Sequence, residues 1–405
     1  MNAKALRPDT FALTALLGFL TSFGPLSVDL YLPSLPEVGR SLAASEPTVQ
    51  LTISLYLVGY AIGQILYGPV SDRFGRKPVL LAAFLIYCAG TIVCIGAPRI
   101  DWLIAGRIAQ ALGASGALIV TRAVVRDLYE GPRAGHQLSI MGVIMGFTPI
   151  IAPVVGGVLL TWSGWRAGFV FQLAVGLSAG TLVWRYLAET HRPSVVAFGA
   201  ILASYKTVAT NRVFLANLAI GALGYSALFA WISGSPFVLQ GLRGLTPLGF
   251  SICYAISCTG YMIGSVIATR LVLRIGLDRT AGVGAAVLAL SGACALASVA
   301  IDTALPVTLT ASLSLCLAAM GLLLPQVMAG ALTPFPKSAG AASSVVGFAH
   351  QCAGALMSII VGSTLGATAW PVAWGVAVAG GAALVLWAMT RRLRSDASLP
   401  SAPAE

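Results

Sequence analysis

Long apolar segments recur from one end of this chain to the other, and they constrain its fold more than any other feature. A helix needs about 20 apolar residues to cross the hydrocarbon core of a bilayer. Only helices and closed barrels satisfy every backbone polar group there, and segments of this length fit helices. The sequence therefore predicts an all-α polytopic membrane protein with 12 transmembrane helices. We place them at 11–33, 48–70, 78–97, 102–124, 137–160, 165–187, 213–238, 248–270, 281–300, 304–328, 342–366 and 371–390.

The few charged residues follow a pattern that predicts orientation. Only 9% of the 405 residues are charged, against about 25% in soluble domains. Most of the 24 Lys and Arg residues fall in connectors on one side of the predicted membrane. Cytoplasmic loops carry such an excess, so we expect both termini in the cytoplasm. The net charge of +11 then reflects topology and does not indicate nucleic-acid binding.

The longest polar connector divides the chain into two parts. It covers residues 188–212, between the sixth and seventh predicted spans, and we interpret it as a cytoplasmic linker. An N-terminal six-helix bundle is expected over 1–187 and a C-terminal one over 213–394. The remaining residues, 395–405, are rich in Ser, Ala and Pro, which predicts a disordered tail.

A short internal repeat relates the two halves. GYAIG at Gly59–Gly63 is echoed by GYMIG at Gly260–Gly264. At the same offset, the Arg-x-Gly that ends at Gly75 recurs in the second half and ends at Gly276. Chance explains the first match alone, but two matches in register favour duplication of a six-helix unit in parallel orientation.

A polar run between the second and third spans has an unusual composition. Gly68 and Gly75 are expected to turn the backbone there, and Pro69 and Pro78 to fix helix ends. An ordinary positive loop explains its bases but not its glycines and its single acid. The run resembles the loop between helices two and three of the major facilitator superfamily, G-x-x-x-D-R-x-G-R-[RK]. The residues that carry this resemblance are Gly68, Asp72, Arg73, Gly75, Arg76 and Lys77.

This resemblance implies a fold and a role for the loop. The fold is the major facilitator fold, in which two six-helix bundles enclose a transport path. By analogy, Asp72 faces the start of the eleventh span and Arg76 pairs with Asp127 at the end of the fourth. Together they would form a gating latch on the cytoplasmic side. The alternative is that these charges are simply solvated.

Two charged residues are predicted inside spans and are the best candidates for chemistry. A charge at the centre of a transmembrane helix costs about 2.5 kcal/mol or more unless it is paired or hydrated. Asp29 and Arg107 are placed at similar depths in the first and fourth spans. A cavity that opens alternately to each side would change the surroundings of Asp29, so that it loads a proton outside and releases it inside, with Arg107 assisting release. The alternative is a static ion pair that only holds helices together.

The first span carries a more specific pattern at the same acid. Asp29–Pro36 reads DLYLPSLP and resembles the D-x-Y-L-P-x-L-P signature of the Bcr/CflA family of drug:proton antiporters, the bicyclomycin- and chloramphenicol-resistance branch of the superfamily. The resemblance implies a bacterial inner-membrane exporter of small amphipathic drugs, namely bicyclomycin- or phenicol-type antibiotics or several drug classes. It also implies a small-molecule substrate and protons as partners, a monomer in the lipid bilayer, and no cofactor or metal.

The fourth and fifth spans contain two further family patterns. Arg107 and Gln110 fit R-x-x-Q-G-x-G, and the set Pro153, Gly156 and Gly157 fits part of the antiporter motif G-x-x-x-G-P-x-x-G-G. Small residues allow close helix approach, and prolines bend helices. The fifth span therefore favours export, although helix packing alone explains the same residues.

Aromatic and amide side chains in the spans are candidates for a drug-binding cavity, because such surfaces bind flat, moderately apolar solutes. Packing or lipid contact is the alternative for each of them. Two roles are also possible for His350, because a histidine inside a span either titrates near neutrality or packs as a hydrogen-bonded residue. The candidate substrate-binding residues are Tyr31, Tyr56, Tyr60, Gln110, Tyr225, Phe229, Trp231, Phe237 and Gln351.

Three other functions stay open as alternatives of decreasing weight. An exporter or facilitator of a sugar, an amino acid or a short peptide would share this architecture. A non-transporting membrane receptor usually needs a soluble signalling domain, which the connectors do not provide. An enzyme is disfavoured because the sequence has no nucleophile–base set, metal cluster or phosphate-binding loop.

Overall fold

The computed structural model describes residues 6–8, 10–191, 205–301, 305–335, 338–366 and 368–396. Within these ranges the regular secondary structure is helical. Eleven of these helices are long and apolar enough to cross a membrane. A bent pair, Phe11–Thr21 with Phe23–Ser41, brings the number of spans to 12 if it counts as one. The predicted all-α membrane architecture is confirmed.

The helices are numbered here in chain order. The first eight are α1 (Phe11–Thr21), α2 (Phe23–Asp29), α3 (Leu35–Ser41), α4 (Glu46–Phe74), α5 (Arg76–Gly96), α6 (Ile100–Leu128), α7 (Gly131–Ser163) and α8 (Trp165–Tyr186). The later ones are α9 (Arg212–Pro236), α10 (Pro247–Ile275), α11 (Leu277–Ile301), α12 (Leu305–Leu332), α13 (Ala339–Thr364), α14 (Trp370–Met389) and α15 (Arg391–Asp396). A π-helical turn, Phe237–Leu242, follows α9.

The first span is bent at Ser22, before its signature sequence, and changes helix type within that sequence. α1 and the helical stretch that follows it meet at a bend of 45°. α2 ends at Asp29, and a 3-10 turn over Leu32–Ser34 leads into α3. Pro33 and Pro36 stand in the first turns of these two elements, where a proline's missing N–H is not needed. The signature therefore places Asp29 at a helix end inside the span.

Two single-glycine turns reverse the chain at equivalent points of the repeat. Gly75 joins α4 to α5 with φ +94°, and Gly276 joins α10 to α11 with φ +82°. Residues with a Cβ are strained at such angles. The roles predicted for Gly68 and Pro69 in this turn are wrong, because both lie inside α4, which continues to Phe74. One glycine suffices for the reversal, so the helix keeps its hydrogen bonds almost up to it.

The described chain divides into two compact units. Unit 1 contains Met1–Ala197 together with Pro236–Ala255, and unit 2 contains Phe198–Ser235 together with Ile256–Glu405. The second piece of unit 1 comes from the half that the sequence assigns to the C-terminal bundle. The domain boundary predicted at the linker stays a prediction, since residues 192–204 lie outside the described residues.

Unit 1 is organised around α6. Helices α2, α4 and α5 pack against α6, α8 packs against α5, and α7 packs against α1 and α2. Gly59 on α4 faces α6, where an added Cβ would lie 3.0 Å from the Ile108 carbonyl oxygen. Gly63, one turn further on, faces the side chain of Ser115. The glycines of GYAIG thus let two helices approach closely.

Unit 2 repeats this packing. Helix α11 packs against α12 and α14, as α5 packs against α6 and α8. Gly260 and Gly264 on α10 face the carbonyl oxygens of Ser314 and Ala318 on α12. GYMIG therefore does in unit 2 what GYAIG does in unit 1, and this agreement supports the predicted duplication.

The disordered tail predicted over 395–405 begins too early. α15 extends to Asp396, and Arg394 within it donates a hydrogen bond from Nε to Asp278 Oδ1 at 2.7 Å. This ion pair holds the short helix against the start of α11. Residues 397–405 lie outside the described part of the chain.

Candidate functional site

Arg107, on α6, lies in the interior of unit 1 with no exposed surface. Its Nη1 donates hydrogen bonds to the Ser27 carbonyl oxygen at 2.9 Å and to Gln110 Oε1 at 2.6 Å. Its guanidinium carbon lies 4.2 Å from the ring centre of Tyr56 and 4.8 Å from that of Tyr31. Neutral oxygens and aromatic faces therefore stabilise this buried cation.

Side-chain amides extend the Arg107 network to α5 and α8. Gln110 Nε2 donates to Thr91 Oγ1 at 2.9 Å and to Gln172 Oε1 at 2.7 Å. Arg107 Nη2 and Gln172 Nε2 are buried and have no hydrogen-bond partner among the described residues. Leaving a buried donor unpaired is costly. The network thus keeps two donors that a bound molecule or water can use.

Asp29 is the last residue of α2 and is only 5% exposed. Its Oδ1 accepts a hydrogen bond from the Tyr254 hydroxyl at 3.3 Å. Tyr254 lies near the start of α10, in the stretch that belongs to unit 1. A buried carboxylate without a cationic partner is costly in its ionised form. The charge state of Asp29 is therefore sensitive to whether water reaches it.

The static ion pair of Asp29 with Arg107, which is the alternative to proton exchange, is not seen: no ion pair within 4.0 Å joins them in the described part of the chain. Ser27 Oγ contacts the Tyr87 hydroxyl of α5 at 2.9 Å, whereas Asp29 contacts Tyr254 of α10. Residues two apart on a helix are rotated by about 200° and point to nearly opposite sides. Helix α2 thus presents Ser27 to the Arg107 network and Asp29 to α10, and the predicted help of Arg107 in proton release stays a prediction.

The unit 1 residues predicted to bind substrate pack on each other in this structure. Tyr31, Tyr56 and Gln110 surround the guanidinium of Arg107, and Tyr60 stacks on Tyr56 with ring centres 6.1 Å apart. All four predicted residues are 4% exposed or less. Their contact with a substrate stays a prediction that requires a conformational change to expose them.

In unit 2, His350 lies against an aromatic residue of α9. Its ring stacks on Tyr225 with centres 5.3 Å apart, and Tyr225 in turn packs against Phe229 at 5.4 Å. His350 is buried, and its Nε2 has no hydrogen-bond partner within the described ranges. The stacking agrees with a packing role, and its titration stays a prediction.

Three other candidate substrate residues are dispersed. Trp231 is fully buried in unit 2, and its Nε1 has no hydrogen-bond partner among the residues described. Gln351, also in unit 2, is half-buried. Phe237 is buried and belongs to unit 1. Substrate binding by these residues stays a prediction.

Arg76, the first residue of α5, is buried and bridges two acids. Its Nε donates to Asp127 Oδ2 at 2.8 Å, so the ion pair implied by the resemblance is present. Its Nη1 donates to Asp72 Oδ1 and to Ser71 Oγ. Arg73 is exposed. The contact of Asp72 with the eleventh span and the gating role of this loop stay predictions.

Glu189, which was not predicted from the sequence, caps the start of α5. Its Oε1 accepts a hydrogen bond from Arg76 N at 2.9 Å and its Oε2 accepts one from Lys77 N at 3.1 Å. A carboxylate at a helix N-terminus satisfies free N–H groups and matches the helix dipole. Lys77 Nζ also donates to the Trp184 carbonyl oxygen at 2.8 Å. The end of α8 thus fixes the Gly75 turn.

The glycines predicted for helix packing lie at two close approaches of α7. A Cβ on Gly156 would collide with the Leu30 carbonyl oxygen. A Cβ on Gly157 would lie 2.5 Å from Ser251 Oγ. Pro153 lies inside the helix, as predicted for the fifth span. These contacts give the two glycines a packing role, and the link of all three residues to export stays a prediction.

Comparison with known proteins places this chain among transporters. The family model described as Major Facilitator Superfamily matches residues 15–276. An uncharacterised MFS-type transporter of Bacillus subtilis, YdgK, is 33% identical over 367 residues, which cover 87% of this chain and 89% of the relative. A chloramphenicol resistance protein of Pseudomonas aeruginosa is 33% identical over 303 residues, 71% of each chain. A bicyclomycin resistance protein homolog of Haemophilus influenzae is 26% identical over 368 residues, 90% of this chain and 92% of the relative.

A solved structure agrees with the same fold. A POT family transporter in complex with 5-aminolevulinic acid superposes with a TM-score of 0.78 and covers 98% of this chain and 100% of its own. The two sequences are 14% identical. At that identity the likeness concerns the fold and not the transported molecule.

Proposed function

This chain belongs to the Major Facilitator Superfamily, and we propose that it exports small amphipathic drugs from the cytoplasm in exchange for protons. The cargo class rests on its relatives, which include one named for chloramphenicol resistance and one named as a homolog of a bicyclomycin resistance protein. The observation that carries proton exchange is Asp29, a carboxylate buried at a helix end inside a predicted span without a cationic partner among the described residues.

Asp29 is the proton carrier in this scheme. When the site opens to the more acidic outer side, water reaches the carboxylate and a proton binds. When it opens to the cytoplasm, the proton leaves Asp29 and the drug binds in the cavity. A buried, unpaired carboxylate suits this exchange because its charge depends strongly on solvent access.

Arg107 has a fixed structural charge in the same scheme. A guanidinium stays protonated under all working conditions, so it carries no proton itself. Its contacts with Ser27 on α2 and with Tyr56 on α4 tie the first two spans to α6. We infer that it keeps the Asp29 segment in position and supplies hydrogen-bond donors to a drug when unit 1 opens.

We infer the orientation of the chain from its charge distribution, and the membrane in which it lies from its family. We place both termini in the cytoplasm and the chain in a bacterial inner membrane, where the proton gradient points inward. A monomer of two bundles, 1–187 and 213–394, then alternates access around the drug. The Arg76–Asp127 pair and Asp72 hold the cytoplasmic ends of these bundles in one of the two states.

A susceptibility screen tests the proposed cargo. Cells that lack their main efflux pumps and express this chain are expected to tolerate higher concentrations of chloramphenicol, bicyclomycin or another amphipathic drug than cells with an empty vector. Drug-loaded cells should also lose the drug faster, and a protonophore should stop that loss. No change across a broad amphipathic panel, with normal membrane expression, would contradict drug export. Release of a sugar, an amino acid or a peptide would then support the metabolite alternative.

A further inference from the structure

The segment Pro236–Ala255 packs with the N-terminal helices as part of unit 1. It consists of the end of α9, the π-helical turn and the start of α10, and we refer to it as segment 236–255. Gln240 Nε2 donates a hydrogen bond to the Pro33 carbonyl oxygen at 3.2 Å. Two turns into α10, Tyr254 donates to Asp29. The segment therefore covers the span end that carries the proposed proton carrier.

Gly157 on α7 gives segment 236–255 a second point of contact. A Cβ at this position would lie 2.5 Å from Ser251 Oγ and 3.1 Å from the Pro247 carbonyl oxygen. The first distance is too short for a real Cβ atom and the second is tight, so Ser251 or the backbone beside it would have to move. The docked position of the segment thus depends on the absence of a side chain at residue 157.

The docking is not tightly packed over its whole length. A cavity of about 720 Å³ separates the segment from the turn between α3 and α4. It is lined on one side by Gly39, Arg40 and Glu46 and on the other by Gln240 and other segment residues. On this side the cavity interrupts the packing, so the segment is held there by fewer contacts than a filled interface would provide.

We propose that Tyr254 is the positioning residue that couples the docking of segment 236–255 to the proton on Asp29. This inference rests on the proposed function of Asp29. Among the described residues, the ionisable groups that interact with Asp29 are Tyr254 on α10 and Tyr56 on α4, and Arg107 on α6 forms no ion pair with it. A hydrogen bond to a carboxylate is stronger when the carboxylate is ionised. Ionised Asp29 therefore holds the segment docked, and protonated Asp29 holds it less firmly.

This coupling has a consequence for leakage. After Asp29 releases its proton to the cytoplasm, the ionised carboxylate keeps the segment over the outer side of the site. An empty carrier then cannot return to the outward-open state, and only a bound drug that displaces Tyr254 from Asp29 permits the return. Without this bond, protons would enter on each cycle without any drug leaving. Tyr254 thus prevents futile proton entry.

The test uses the full chain in proteoliposomes without any drug. A pH gradient is imposed, and proton entry is followed with a pH-sensitive dye in the lumen. The wild-type protein is expected to let almost no protons enter without drug. Tyr254→Phe keeps the ring and removes the hydroxyl, and we expect it to raise drug-independent proton entry by about 10-fold or more, since 10-fold corresponds to the lower end of the range for one hydrogen bond to a charged group. Tyr261→Phe, on the same helix, is the matched control and should stay at the wild-type rate.

Gly157→Leu is a second variant that should keep segment 236–255 from docking. It blocks docking at α7 without touching Asp29, so it should also leak and should raise the rate at which a carbodiimide modifies Asp29 from outside. Asp29→Asn combined with Tyr254→Phe should abolish the leak, because the proton carrier is gone. A Tyr254→Phe protein that is as tight as wild type while wild type exchanges drug for protons would overturn this inference alone. Wild type that never exchanges drug for protons would overturn the proposed function instead.

Discussion

Asp29→Asn is expected to abolish uphill drug transport while leaving drug binding and passive equilibration in place. Asparagine keeps the size of the side chain and an oxygen that accepts the hydrogen bond from Tyr254. It removes the only property that proton coupling needs, which is a change of charge. In proteoliposomes with an acidic lumen one pH unit below the outside, the drug ratio should fall from about 10 to 1, since one pH unit is worth about 1.4 kcal/mol per proton.

Asp101→Asn is the matched control for this loss. Asp101 lies in the first turn of α6, is 73% exposed at its side chain and is 3.9 Å from Arg99. Exposed ion pairs contribute little, typically 0–1 kcal/mol, so this variant should transport like wild type. If Asp29→Asn still accumulates drug against its gradient, another group carries the proton and the role given to Asp29 is wrong.

Arg107→Lys is expected to remove transport and to lower the stability of unit 1. A lysine retains the charge but has no planar face for Tyr56 and Tyr31, and it cannot reproduce the fixed fork of donors that meets Ser27 and Gln110. Loss of one buried hydrogen bond to a charged group costs about 1.5–3 kcal/mol. A lysine ammonium still attracts the two rings but cannot stack on them, so part of the cation–π contribution, about 2 kcal/mol for a desolvated pair, is lost as well. Thermal unfolding of the detergent-purified protein and drug efflux measure both effects.

Arg166→Lys is the control for Arg107→Lys. It makes the same replacement at an exposed arginine that also lies beside an aromatic ring. Arg166 is exposed, lies 4.2 Å from the Trp165 ring centre and donates to backbone carbonyl groups near the end of α5. Its replacement should change stability and efflux only slightly. Equal losses for the two variants would indicate that the buried position of Arg107 has no special importance.

The membrane architecture was predictable because the bilayer leaves few choices. The length of the apolar segments predicts the spans, and the repeated glycines indicate where one helix packs closely on another. Gly75 and Gly276 both take positive φ at single-residue turns, and GYAIG and GYMIG both bring one helix close to another. The sequence overestimated the length of the turn before Gly75, because Gly68 is compatible with a helix as well as with a loop.

The candidate site was predicted only in part. The sequence indicates how deep a residue lies in the membrane, but it does not indicate which neighbouring helix its side chain faces. Asp29 and Arg107 were placed correctly on neighbouring helices, since Arg107 bonds to Ser27 two residues before Asp29. Asp29 is two positions further along α2, on nearly the opposite side of the helix, and its carboxylate faces Tyr254 of α10 instead. The depth of the two charges, from which the sequence argument starts, does not contain this rotation.

The partners found only in the structure are distant in the chain. Tyr254 is 225 residues from Asp29, and Glu189 is 113 residues from Arg76. Each is an ordinary residue within its own local sequence. Gln172 is the exception, because an amide inside an apolar span is a recognisable signal of a polar partner nearby.

The most direct test of proton-coupled export is drug accumulation driven by a pH gradient alone. The purified chain is placed in proteoliposomes with an acidic lumen and the voltage clamped at zero, and the luminal concentration of the drug that it exports from cells is measured for the inside-out population. One proton per neutral drug molecule predicts accumulation of up to about 10-fold for one pH unit, with collapse when a protonophore is added. A luminal concentration that only equals the outside concentration, whatever the gradient, would contradict the account.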